Sequence, residues 1–233
     1  MVPQIIAETE SLLKRLRSFY FPGGETAARR IRAIITTESG WFQMAPGARA
    51  IPFTAEQHTD CTSSSFVWKA RLNPGKLGTA TVVDSYQDGH GAIAVRALGL
   101  MPAKKFSGRD VDLGELQRYL ASIALCPAAL VNHSTIEFQA LDSSTLRAYD
   151  TKDWLGAYID FIISQDGMPA GCQAQRPRLV GKHSISTPWF TQGSGFRVYE
   201  GLRVPTQLEA RWDLPEGPFT YYRSEVTSFR CLR

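Results

Sequence analysis

A chain of 233 residues with 43% hydrophobic and 21% charged residues can bury a sizeable core, which excludes intrinsic disorder. The formal net charge of +4 comes from scattered residues of both signs, not from the clustered basic stripe that nucleic-acid binding requires. The longest apolar stretch, Ile123 to Val131, is far short of the ~20 residues that cross a bilayer, so no stable membrane insertion is expected.

Gln4 to Phe19 predicts an amphipathic helix, with Ile5, Ile6, Leu12, Leu13, Leu16 and Phe19 on its apolar side and Pro22-Gly23-Gly24 ending it. Glu8, Glu10, Lys14 and Arg15 interrupt any apolar run there, which argues against a secretory signal. The basic groups Lys14, Arg15, Arg17, Arg29, Arg30 and Arg32 read as a solvated face. Arg29 to Met44 predicts a strand, with Ile31, Ala33 and Ile35 on one parity and Gly40 a bulge or bend. Ala50 to Asp60 is the next strand, with Pro52 near its start, and Phe66 to Leu72 alternates apolar with mostly polar residues. Asn73-Pro74-Gly75 turns the chain. Thr79 to Gln87 and Ala92 to Ala97 predict a hairpin around Asp88-Gly89-His90-Gly91, with His90 a turn residue. Leu98 to Ser107 connects that hairpin to the next helix.

Asp112 to Val131 carries the clearest helical signal after the N-terminal segment, with Leu113, Leu116, Leu120, Ile123 and Ala124 on one face. Asp112 is placed as N-cap with Glu115 closing a capping box, and Pro127 ends the regular helix. Short strands follow at Thr135–Ala140, Thr145–Asp150, Ala157–Ser164, Ala170–Val180, Lys182–Phe190, Phe196–Tyr199, Thr206–Asp213 and Tyr221–Arg230. Gly193-Ser194-Gly195 reads as a loop.

About ten strands with regularly spaced turn signals suggest one meandering antiparallel sheet, in a single domain spanning 1–233. Residues 1–28 form the N-terminal helix and its connection; 29–233 form the sheet with helix 112–131. Twist makes a sheet of this size curl, so the expected fold is mainly β: a large curved antiparallel sheet, a half-open barrel, wrapped around a central helix. Such a barrel encloses more volume than side chains tend to fill, which predicts an apolar hollow between helix and sheet. Cysteines 61, 126, 172 and 231 lie far apart and are expected as reduced thiols, which suits a cytoplasmic protein.

The motifs PFTAEQ (Pro52 to Gln57), FVWKAR (Phe66 to Arg71), the D-x-Y-x-D-G-x-G turn (Asp84 to Gly91) and ALGLMP (Ala97 to Pro102) occur in a telling order. GELQRYL with CPAAL (Gly114 to Leu130), STPW (Ser186 to Trp189) and RVPTQLEARWDLPEGPFTYYR (Arg203 to Arg223) continue the series. As a series they resemble a widespread bacterial family known only as a domain of unknown function. The resemblance implies a curved antiparallel sheet over helices, similar to the lipoprotein carriers of the LolA and LprG type, which hold acyl chains in the hollow of the sheet. This chain has Leu125-Cys126 where many relatives carry an aromatic before the helix-ending proline.

No Walker loop, dinucleotide fingerprint or G-x-S-x-G elbow is present, and histidines 58, 90, 133 and 183 lack metal-ligand spacing, so neither cofactor nor metal is expected. Glu115 has two readings: half of a capping box, or a general acid or base at the hollow's floor with its pKa raised by Leu and Trp neighbours. Arg118 and Tyr119 are its helical neighbours, and pairing with Arg118 would weaken the base role. Glu56 and His58 share a strand face, either solvated or, turned inward, a proton-transfer pair. Trp68, Tyr86, Trp189, Trp212, Tyr221 and Tyr222 would line the hollow and suit a flat or greasy ligand. Two functions follow. One is binding of a hydrophobic small molecule, lipid or terpenoid-like. The alternative is a cofactor-independent isomerase, cyclase or hydrolase using Glu115, Tyr119 or the Glu56–His58 pair for proton transfer.

Overall fold

The computed structural model describes every residue except 1, 74, 76, 77, 98–103 and 182. Among the described residues the α-helices are α1 (Val2–Tyr20), α2 (Arg109–Ala121) and the short α3 (Ala129–Asn132). The first six strands are β1 (Ala33–Phe42), β2 (Ile51–Asp60), β3 (Phe66–Leu72), β4 (Ala80–Gln87), β5 (His90–Ala97) and β6 (Lys104–Phe106). After the helices come β7 (Ile136–Ala140), β8 (Thr145–Asp150), β9 (Tyr158–Ile163), β10 (Pro169–Val180) and β11 (His183–Ser194). The last four are β12 (Arg197–Tyr199), β13 (Leu202–Val204), β14 (Gln207–Leu214) and β15 (Gly217–Leu232).

Thirteen strands form one antiparallel sheet in the order β6-β5-β4-β3-β2-β1-β15-β14-β11-β10-β9-β8-β7; β12 and β13 pair as a separate ribbon. The chain walks outward from β1 to the β6 edge, crosses through α2 and α3 to the opposite edge at β7, and walks back to β15 beside β1. The sheet is curved and does not close. α2 packs against β4 and β5 on one arm and β9 and β10 on the other. One helix can touch strands so far apart in the sheet order only if the sheet curls around it. α1 lies against β7, β8 and β13.

Two local devices shape the sheet. Asp88 (φ 51) and Gly89 (φ 82) are both left-handed, the geometry of a two-residue hairpin turn between β4 and β5. A β-carbon on Gly40 would overlap the Arg223 carbonyl oxygen, so this glycine permits a close backbone approach of β15. The expected bulge lies instead between Thr37 and Glu38, where β15 gains a residue opposite β1.

Other expectations also shift. The helix expected over 112–131 breaks into α2, a 3₁₀ turn (Ser122–Ala124) and α3. Gly108 is the N-cap, and Asp112 lies in the first turn, where its carboxylate accepts the Gly91 amide at 2.7 Å. No capping box forms; Glu115 is a buried residue of the helix interior. The inward residues of β1 are Ile34, Thr36 and Glu38, in register with the inward residues Phe53 and Ala55 of β2. On α1, Leu12, Leu16 and Tyr20 are buried while Ile5 and Ile6 are exposed. His90 opens β5 instead of sitting in the turn, and Gly193 and Ser194 belong to β11. The strands β6 and β13 were not foreseen. The Asn73-Pro74-Gly75 turn at Pro74, most of ALGLMP, and the 98–103 part of the Leu98–Ser107 connection lie outside the described residues.

Candidate functional site

Where α2 lies, the space under the sheet is filled. Leu116, Leu120 and Ile123 are at most 1% exposed, packed with Leu12, Leu16, Tyr20, Ile31 and Phe66. The inward face changes character next to this packed region. Cross-strand register puts Phe53, Trp68, Asp84, Tyr222, Ala210 and Trp189 on the same face as Glu38. A bulge opposite Ala210/Arg211 lets the successive residues Tyr221 and Tyr222 both take part. Tyr221 accepts the Trp189 indole N–H at 2.9 Å and stacks on Trp212 with ring centroids 5.6 Å apart. Tyr222 stacks on Phe53 at 5.4 Å. Tyr221, Tyr222 and Trp212, with Phe42, Ile51, Ala80 and Val82, are packed on the core yet only partly buried.

Among these rings sits a charged chain of side chains carried by α2 and both arms. Arg118 is hydrogen-bonded to Asp84 and lies 3.9 Å from Glu115. Arg176, from β10, donates to Glu115 Oε1 at 3.2 Å and to the Gly114 carbonyl at 3.1 Å. Each guanidinium covers an indole: Arg118 lies 4.8 Å from the Trp68 ring centroid and Arg176 4.8 Å from that of Trp189. Glu38 accepts the Trp68 indole N–H at 2.5 Å and the Ser224 hydroxyl at 2.6 Å. Asp84 Oδ1, Glu115 Oε2 and Gln117 Oε1 are buried without a hydrogen-bond partner among the described residues, and all three are acceptors.

Glu115 is 3% exposed, and burial followed by the Asp84 charge raises its pKa from 4.5 to about 7, against the opposing pull of Arg176 and Arg118. Two cations within 4 Å therefore do not offset the burial of the carboxylate and the Asp84 charge beside it. Burial works against the charge on Arg118, yet Asp84 and Glu115 raise its pKa. Burial, then Glu38, raises the Tyr222 phenol well above 10. The site thus presents fixed cations on aromatic faces and one carboxyl group able to exchange a proton near neutrality.

A family model described as a family of unknown function (DUF6920) matches residues 14–230. The chain belongs to this family. No curated protein matches it in sequence. Two crystal structures share the DUF6920 chain's fold. One is a domain from Vibrio parahaemolyticus assigned to outer membrane lipoprotein sorting; at 8% identity it gives a TM-score of 0.53 over 99% of this chain and 93% of its own. The other is a DUF1329 family protein from Desulfovibrio piger, at 11% identity with a TM-score of 0.53 over 97% and 92%. The resemblance to lipoprotein-carrier folds thus holds at the level of architecture.

Of the residues singled out in sequence, this DUF6920 structure gathers Glu115, Arg118, Trp68, Trp189, Trp212 and Tyr222 into one cluster. Others lie elsewhere. Glu56 and His58 do pair, at 3.4 Å, but on the face away from the core with about half of each side chain exposed. Tyr119 is fully buried, and its hydroxyl donates to the Asp60 carbonyl at 2.9 Å. Tyr86 is buried beside Phe66, and burial, then Asp153, Asp150 and Asp112, pushes its phenol up to about 12. Asp84, Arg176 and Glu38 were missed; each sits on the inward parity of its strand, but a charge there reads as solvent-facing.

One further constellation resembles a nucleophile site and fails as one. The Ser64 hydroxyl donates to Asp150 Oδ2 at 2.5 Å and lies 3.2 Å from His133 Nε2. His133 Nδ1 accepts the Thr135 amide at 3.3 Å, which leaves the proton on Nε2. The imidazole then donates to Ser64 and is in the wrong tautomer to activate it. Two clefts lie outside this cluster: one of about 410 Å³ beside α1, lined by Glu10, Leu13, Lys14, Arg17, Phe21 and Glu25, and one of about 230 Å³ lined by Arg147, Tyr149, Asp150, Asp153, Ala157 and Tyr158.

Proposed function

We propose that this protein binds a hydrophobic small molecule, lipid or terpenoid-like, against the aromatic part of the concave face. The observation that carries the reading is the row of inward-facing apolar side chains left half-buried: Phe42, Ile51, Val82, Trp212, Tyr221 and Tyr222. A curled sheet that packs one end densely and leaves such a row uncovered at the other has apolar surface to offer a guest. The guest's apolar body lies along those rings. Beside this row Glu115 Oε2 and Asp84 Oδ1 are buried acceptors without a protein partner among the described residues, which a hydrogen-bond donor entering with the guest would satisfy. The fold shared with the lipoprotein-sorting domain supports the same reading by analogy. Among the described residues no helix is long and apolar enough to cross a membrane.

The decisive experiment is native mass spectrometry of the purified chain with organic extraction of its ligand, followed by titration with a fluorescent fatty-acid probe. Retained apolar mass, or saturable binding that changes the tryptophan emission, is the expected result. A chain that carries no apolar compound and leaves the probe unbound refutes the proposal. A second reading, proton-transfer catalysis on such a guest without a cofactor, draws on Glu115, whose pKa near 7 suits a general acid or base. Its mark is turnover lost in Glu115→Gln while probe binding persists.

A further inference from the structure

Sequence spacing separates Cys61 and Cys126 by 65 positions, yet the fold sets their sulfurs 3.1 Å apart. Cys61 follows the end of β2 and donates its amide to the Arg32 carbonyl at 2.8 Å. Cys126 ends the helical run that begins with α2, with its amide bonded to Ser122 at 2.8 Å. Both are buried, at 0% and 1% exposure. The backbones are tied at this point already, because the Tyr119 hydroxyl binds the Asp60 carbonyl. A disulfide has an S–S distance near 2.05 Å, so closing the bond asks for about 1 Å of movement.

We propose that Cys61 and Cys126 are a disulfide pair, closed when the chain meets an oxidised low-molecular-weight thiol such as glutathione disulfide, and that the bond staples the α2 segment to the end of β2. The exchange proceeds in two steps. One thiol loses its proton and attacks the glutathione disulfide, forming a mixed disulfide and expelling one glutathione thiolate. The second protein thiol, likewise deprotonated, attacks the protein sulfur of that mixed disulfide and expels the other glutathione. Two protein thiols are oxidised, one disulfide is reduced to two thiols, and the protons balance through solvent. Burial raises the Cys126 pKa and bars access, so the reaction runs on the opened or folding chain and slowly on the native one. Burial, then the Glu200 charge, pushes the Cys231 thiol up to about 12, and Cys231 serves as the control partner.

The test uses the full chain, refolded from the reduced state in a glutathione redox buffer, alkylated under denaturing conditions and mapped by peptide mass spectrometry without reduction. The expected map links the Cys61 and Cys126 peptides at a mass lower by two hydrogens, with Cys172 and Cys231 alkylated. The link persists in Cys231→Ser and vanishes in Cys61→Ser. The oxidised protein melts on the order of 10 °C above the reduced one, and this gap is absent in Cys126→Ser. Four alkylated cysteines after oxidation, or a link that runs through Cys231 or Cys172, overturns the proposal. Because the peptide map is read on the wild-type chain, it decides the question even if a variant fails to fold.

Discussion

The two ends of the concave face are built from the same alternating strands and treat their inward positions in opposite ways. At the sealed end α1 and α2 cover the sheet, and Leu12, Leu16, Leu120 and Ile123 of the helical segments join Ile34 and Phe66 of the strands in one buried apolar cluster. At the open end the inward positions carry Glu38, Asp84 and Arg176 among tryptophans and tyrosines, with three buried acceptors unpaired among the described residues. The first arrangement contributes stability. The second holds buried charges that packing alone would replace with apolar groups. Polar groups kept at such expense are the feature on which the proposed guest site rests.

The contrast can be broken at either end. The largest effect is expected at the sealed end: Leu120→Ala should destabilise by about 2–5 kcal/mol in urea unfolding, while the folded fraction keeps its affinity for an apolar probe. A loss of binding out of proportion to stability would show that the two ends are not separable. Next comes Glu115. Its folded pKa of about 7 lies above the ordinary 4.5, so the folded state holds the proton more tightly than the unfolded one. Between those values stability should fall as pH rises, by at most about 3 kcal/mol. Glu115→Gln, which mimics the protonated form, should flatten that slope in melting curves taken from pH 5 to pH 8. An unchanged slope would mean that Arg176 and Arg118 hold the carboxylate ionised throughout. Trp212→Ala should weaken probe binding on the order of tenfold, about 1.4 kcal/mol, with a smaller change in melting temperature, because that ring is only partly buried. The smallest effect belongs to Glu56→Ala and His58→Ala, each within about 0.5 kcal/mol in stability and without change in binding, since the pair stands in solvent.

Much of the architecture was legible because each strand announces itself locally. Thr145–Asp150 matches to the residue, and Phe66–Leu72 alternates as the inward register requires. What misled was polarity on the inward face. Thr36 and Glu38 look like the wet side of β1 until Trp68 and Ser224 are seen to satisfy the carboxylate. Glu115 illustrates the same limit on the helix: its spacing from Asp112 suits a capping box, but Gly108 takes the cap and Asp112 is drawn to the Gly91 amide.

By itself the chain determined its class: alternation set the strands, turn residues set their ends, and the number of strands required the sheet to curl. Only the folded molecule decided which parity faces inward, that Asp84, Glu115 and Arg176 converge from three elements, and that Cys61 meets Cys126. Those facts depend on which strands become neighbours, and pairing between segments far apart along the chain is chosen by the burial of the whole face, not by any local pattern.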